Sequence, residues 1–95
     1  MRVRFSGRAQ RDIEEIYRYL VDKSPLGAQN VLRSIREAAE FIGRNPHAAP
    51  KTDDPEIRMR VVRRHRYKVF FRIGSDTVEI IHVRHPSRRP LEIER

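Results

Sequence analysis

Ninety-five residues with 38% hydrophobic content suffice for one domain around a modest core, near the small end of what folds unaided. The chain has no cysteine, which excludes disulfides and Cys-based metal sites and fits a reducing, cytoplasmic compartment. Its formal charge of +8, from twenty-one Lys and Arg against thirteen Asp and Glu, implies an anionic partner, either a phosphate backbone or an acidic protein.

From the N-terminus, Arg2, Val3, Arg4 and Phe5 alternate charged and apolar, the pattern of a short strand. The charged opening MRVRFSGRAQR has no apolar core and does not read as a signal peptide. Ser6 is placed to cap a helix. Ala9, Ile13, Ile16, Tyr17, Leu20 and Val21 then recur at helical spacing, with Arg11, Glu15, Arg18 and Asp22 opposite. Ser24 and Pro25 are the N-cap and first-turn residues of a second helix, and the short joint at 23–24 makes the pair an antiparallel hairpin. Its apolar stripe is Ala28, Val31, Leu32, Ile35, Ala39 and Ile42, with Gly43 expected at the C-cap and Pro46 just beyond. Residues 44–56 hold three prolines without periodicity and read as a loop.

The second half reads as strands. Ile57, Met59 and Val61 alternate with Arg58 and Arg60, and Tyr67, Val69, Phe71 and Ile73 alternate with Lys68, Phe70 and Arg72. The turn at Gly74, Ser75 and Asp76 precedes a third β-rich run over residues 77–83. The longest strongly apolar run, residues 69–71, is far too short to span a membrane. The expected fold is therefore α+β, in the order β-α-α-β-β-β, forming one domain over residues 1–95. An antiparallel meander is covered on one face by the helical hairpin, and the place of the first strand is left open.

Residues 57–89 carry ten basic side chains and two acidic ones, so the charge concentrates in the strand region. The bland alternative is a solvated charged skin. Pairing Ile73 with Val78 across the turn sets Phe71 opposite Ile80 and Val69 opposite His82 on the covered side. On the open side it sets Arg72 opposite Glu79, Phe70 opposite Ile81 and Lys68 opposite Val83. The same parity, carried back through a turn at 63–65, puts Arg58 and Arg60 on the open side. There Arg60 would face Lys68, or Arg58 would face Arg72. Like charges directly opposite each other suggest a site for an anionic ligand, whereas long arginines splayed into water would be merely structural.

An ordered set of features carries a resemblance. It comprises A-x-x-D-I-x-x-I-x-x-Y-L over residues 9–20, the Ser24-Pro25 start and the Asn45-Pro46 sequel. It continues with R-Y-K-V-F-F-R-I over 66–73 and V-x-x-I-x-V-x-H-x-x-x-R through Val78, Ile81, Val83, His85 and Arg89. From Arg2 to Arg89 the chain resembles the RelE/ParE superfamily of toxins, and its helical first half and closing motif look like the ParE branch. Pro86 departs from the family, which more usually has a small flexible residue there.

The resemblance implies the toxin of a type II toxin–antitoxin module, wrapped and neutralised by an acidic, partly disordered antitoxin segment in a hetero-oligomer. ParE-like members inhibit DNA gyrase, while RelE-like members cleave mRNA in the ribosome. Candidate contacts to the anionic target or antitoxin are Arg58, Arg60, Arg63, Arg64, Arg66, Arg72, Arg88 and Arg89.

Metal-independent RNA cleavage would need a proton shuttle and cations around the phosphate. The candidates are His85, expected on the open face, with Lys68, Arg58 and Arg60. Lys68 stands where RelE-like nucleases carry an arginine after a tyrosine, and it cannot hold phosphate bidentately. Residues 90–95 lack the tyrosine such nucleases often have, which favours the gyrase reading. His47 and His65 read as solvated loop and turn residues, and His82 as a core histidine. His82 and His85 are three apart on a strand and cannot chelate one metal well, so neither metal nor cofactor is expected. A third reading is a degenerate member that only binds antitoxin and DNA.

Overall fold

The computed structural model describes residues 1–86. Their elements are β1 (Arg2–Phe5), α1 (Gly7–Val21), α2 (Pro25–Arg44), β2 (Arg58–Val61), β3 (Lys68–Ile73) and β4 (Thr77–Arg84), in the expected order. Both N-caps form as the sequence implies. Ser6 Oγ accepts from Ala9 N at 3.0 Å and Ser24 Oγ from Gly27 N at 2.9 Å, each satisfying a donor the first helical turn leaves unpaired.

β2, β3 and β4 form the antiparallel meander. The strand order is β1-β4-β3-β2, and β1 lies at the edge, parallel to β4, with Val3 opposite Val78 and Phe5 opposite Ile80. The helical hairpin covers the face formed by Val69, Phe71, Val78, Ile80 and Val83, all buried. Ala9 and Ile16 from α1 join Val31, Ile35, Ala39 and Ile42 from α2 in the same core. Each large side chain in this set contributes roughly 1.5–3 kcal/mol through burial.

Gly43 is not the C-cap. The helix continues to Arg44, and Asn45 caps it, donating its N–H to Phe41 O and Ile42 O. Gly43 is instead buried where β1 crosses the end of α2. A Cβ there would lie 2.8 Å from Val3 Cγ2, and its carbonyl accepts the Met1 ammonium at 2.8 Å. Glycine is required for this close approach.

The loop before β2 folds back on it. Thr52 N donates to Ile57 O at 2.8 Å and Met59 N to Pro50 O at 3.1 Å, shielding the start of an otherwise open sheet edge. Val62 N donates to Tyr67 O at 2.7 Å, closing a turn of four residues, 63–66. Two of them, His65 (φ 74°) and Arg66 (φ 59°), are left-handed, at a cost on the order of 1–2 kcal/mol each.

Candidate functional site

β1, β3 and β4 turn their alternate side chains onto the face of the sheet away from the helices. The first row across it is Arg4, Glu79 and Arg72, where Glu79 lies 3.7 Å from Arg4 and 4.0 Å from Arg72. The expected Arg72–Glu79 pair is present, and one carboxylate serves two guanidinium groups.

The next row departs from the expected register. Ile73–Val78, Arg72–Glu79 and Phe71–Ile80 pair as anticipated, but a bulge between Phe70 and Phe71 then shifts the partners by one. Phe70 faces His82 rather than Ile81, Val69 faces Val83 rather than His82, and Lys68 faces Arg84 rather than Val83. The bulge lies where β1 ends and α1 takes over the edge of β4. Ser6 N donates to Ile80 O at 2.9 Å, and Ser6 Oγ donates to Ile81 O at 3.2 Å. The extra residue in β4 flips everything after it to the other face.

Both histidine assignments on this strand therefore reverse. His82, expected among the core, stands on the open face with its ring stacked on Phe70, centroids 5.4 Å apart and planes at 20°. His85, expected on the open face as a proton shuttle, lies on the helix side. It meets Tyr67 edge-on at 5.0 Å and Tyr19 at 6.1 Å. The two histidines still occupy opposite faces.

Asp12, the acidic residue of the motif over residues 9–20, fixes His82 in place. Its Oδ2 accepts from His82 Nδ1 at 2.7 Å and from the Val83 amide at 3.0 Å, with Arg8 Nε at 4.0 Å. An ionised carboxylate only accepts, so the Nδ1 proton points at Asp12 and Nε2 is left as the outward-facing nitrogen. Among the described residues no buried polar side-chain atom lacks a partner, so Nε2 meets solvent. Beside it, Lys68 and Arg84 face each other across β3 and β4, and among the described residues no carboxylate pairs with either. The result is an imidazole oriented by a carboxylate, an aromatic face and two cations. That arrangement can hold an anion and move a proton.

Arg58 and Arg60 are not part of this face. β2 pairs Arg58 with Phe71 and Arg60 with Val69, which places both arginines on the helix side. The turn has four residues rather than three, and the extra one inverts the parity of β2. Neither expected facing, Arg60 with Lys68 or Arg58 with Arg72, occurs. Arg58 donates to Ala49 O at 2.6 Å, bracing the loop before the strand, and the guanidinium of Arg60 lies 4.0 Å from the centre of the Phe41 ring. Arg63, Arg64 and Arg66 are exposed in the turn, and Arg72 belongs to the first row of the open face. Arg88 and Arg89 lie outside the described residues.

The missing signal was present in the order of residues. Val78 and Ile80 form one alternating run and Ile81 and Val83 another, out of step by one, and a bulge is what joins two such runs. Asp12 was beyond reach, because seventy residues separate it from the imidazole it holds.

A family model described as the ParE toxin of type II toxin–antitoxin systems (parDE) matches residues 3–90. No curated protein matches in sequence. Among solved structures the fold is similar to the chromosomal ParDE toxin–antitoxin system from P. aeruginosa. The TM-score is 0.79 at 20% identity, covering 90% of this chain and 95% of that one. It is also similar to the intact E. coli RelBE toxin–antitoxin complex, with a TM-score of 0.59 at 14% identity, covering 92% of this chain and 98% of that one. Among the described residues no helix is long and apolar enough to cross a membrane. The family model spans nearly the whole length, and the chain therefore belongs to the ParE toxin family of type II toxin–antitoxin systems.

Proposed function

We propose that this chain is a toxin that arrests growth by inhibiting DNA gyrase, and that a cognate acidic antitoxin neutralises it in the cytoplasm. The observation that carries this reading is the match to the ParE family model over residues 3–90. The facing pair Lys68 and Arg84 supports an anionic counterpart for the open face, because two cations set opposite each other are unfavourable until a negative group enters between them. The purified protein should block supercoiling of relaxed plasmid by gyrase and leave mRNA intact in a translating extract. Normal supercoiling together with codon-positioned cuts in mRNA would reject gyrase as the target.

Ribosome-dependent RNA cleavage is a second reading, supported by the His82–Asp12 pair beside Lys68 and Arg84. In it His82 Nε2 would take the 2′-hydroxyl proton as that oxygen attacks phosphorus, the P–O5′ bond would break to leave a 2′,3′-cyclic phosphate, the 5′-oxygen would depart as a hydroxyl with a proton from water, and the cations would hold the developing charge. On this reading His82→Ala abolishes cutting and His85→Ala retains it.

A further inference from the structure

The open face has a second basic corner, at the end of the sheet away from Lys68 and Arg84. Val3 and Phe5 pack against the core, so the alternation of β1 sends Arg2 and Arg4 to the open face. Arg2 lies opposite Thr77 and Arg4 opposite Glu79, while Arg72 meets Glu79 from β3. Two adjoining hollows mark the corner. One of about 340 Å3 is lined by Arg2, Val3, Arg4 and Thr77, and one of about 220 Å3 by Arg4, Arg72, Gly74, Thr77 and Glu79. Among the described residues three guanidinium groups thus share these walls with one carboxylate, Glu79. A second carboxylate, Asp76, accepts from the Thr77 hydroxyl at 3.0 Å.

Glu79 answers this charge loosely. It lies 3.7 Å from Arg4 and 4.0 Å from Arg72, whereas a charge-assisted hydrogen bond closes to about 2.7–2.9 Å. Both arginines are exposed, and pairs of that kind hold weakly. Among the described residues Arg2 has no ion-pair partner. A phosphate group suits the corner better than the carboxylate already there. Its oxygens accept parallel bonds from a guanidinium fork, and in entering between Arg4 and Arg72 it displaces only a long contact.

The rest of the face says what carries that phosphate. A single small anion at exposed arginines is screened by salt and gains little. Lys68 stands four residues from Arg72 along β3, roughly 13 Å away at about 3.3 Å per residue. Phe70 lies midway, with the His82 ring stacked against it. A strand that brings phosphates to both ends gains at both, and the aromatic surface between them suits its bases.

We infer that Arg4 and Arg72, with Arg2 alongside, form a phosphate-binding site that anchors one end of a single-stranded nucleic acid laid along the open face. Glu79 fills that site when no strand is present. The assignment requires neither gyrase nor the ribosome.

The probes are fluorescein-labelled thymidine and uridine oligonucleotides of about twelve nucleotides, titrated by anisotropy against the purified full-length chain. Binding should weaken as salt rises, with a log–log slope of about 0.7 for each phosphate held. Arg4→Gln with Arg72→Gln should weaken binding by about tenfold or more and lower that slope by about 1. Arg33→Gln with Arg36→Gln, at exposed positions of α2 on the other side of the sheet, should cost less than about threefold and leave the slope nearly unchanged. Glu79→Gln should tighten binding by about threefold, because it removes the internal competitor; a merely structural Glu79 would give no such gain. An unchanged thermal melt verifies the fold of each variant. The tighter of the two oligonucleotides names DNA or RNA as the source of the strand. Inorganic phosphate should displace it no better than chloride at equal ionic strength, and selective displacement would make the corner a site for the free ion and overturn the strand. No binding of either oligonucleotide, equal losses in the two double variants, or weaker binding by Glu79→Gln would overturn the site itself and leave the antitoxin reading standing.

Discussion

β2 and the far end of β4 carry the same kind of side chain and use it in opposite ways. Arg58 and Arg60 on β2 are satisfied within the chain, one by a loop carbonyl at 2.6 Å and the other by the face of Phe41. Lys68 on β3 and Arg84 on β4 face each other, and among the described residues neither has a carboxylate partner. Both regions are basic in sequence, but among the described residues the first has contacts within the chain for its guanidinium groups and the second sets cation against cation. A count of cations therefore measures how much anion a surface could attract. Pairing parity decides which of those cations are available to attract it.

The most severe way to break this contrast is to remove the group that holds the open face in shape. Asp12→Ala takes away the acceptor of both the Val83 amide and His82 Nδ1. Leaving partly buried donors without a partner should cost about 2–3 kcal/mol. For a domain of this size that lowers Tm by roughly 10–20 °C. Asp22→Ala, at the exposed end of α1, serves as the control and should leave Tm within a few degrees. Equal melting of the two variants would mean that Asp12 does not organise the end of β4.

A smaller loss is expected on β2. Arg58→Ala removes a charge-assisted bond to Ala49 O, worth about 1.5–2 kcal/mol, because that carbonyl is partly buried and the loop before β2 leans on it. Denaturant titration should show a lower midpoint with an unchanged slope. An Arg58→Ala protein as stable as wild type would place Arg58 among the uncommitted cations and erase the distinction between the two strands.

The elements, both N-caps and the meander were legible in the sequence, because local patterns carry them: helical spacing from Ala9 to Val21, Ser6 and Ser24 as caps, and alternation along β3. Strand parity was not legible, because it depends on single residues at two places. The turn between β2 and β3 has four residues, two of them left-handed without glycine, so nothing in the composition of residues 63–66 announces its length. The bulge in β4 depends on Ser6 and Asp12 replacing β1 along its edge, a tertiary event that local pattern records only as the adjacent Ile80 and Ile81. Those two single-residue shifts moved Arg58, Arg60, His82 and His85 to faces opposite those expected. The first row of the open face, Arg72 with Glu79, lies on the turn side of the bulge and stayed where the sequence placed it.

The finest test reverses the sign of the effect. At Lys68 a carboxylate would face Arg84 and turn a like-charge pair into an opposite-charge pair. Lys68→Glu should therefore stabilise the fold by about 0.2–1 kcal/mol, seen as a Tm a few degrees higher. The same substitution should weaken action on the target, because the negative group now supplied by the chain occupies the place of the external one. The gain should shrink in high salt, where charges this accessible are screened. Cations already used by the fold lose stability when removed, and cations kept for a partner give stability back. A destabilised Lys68→Glu protein would show that Lys68 belongs with Arg58, serving the chain's own architecture, and the open face would lose its claim to an anionic counterpart.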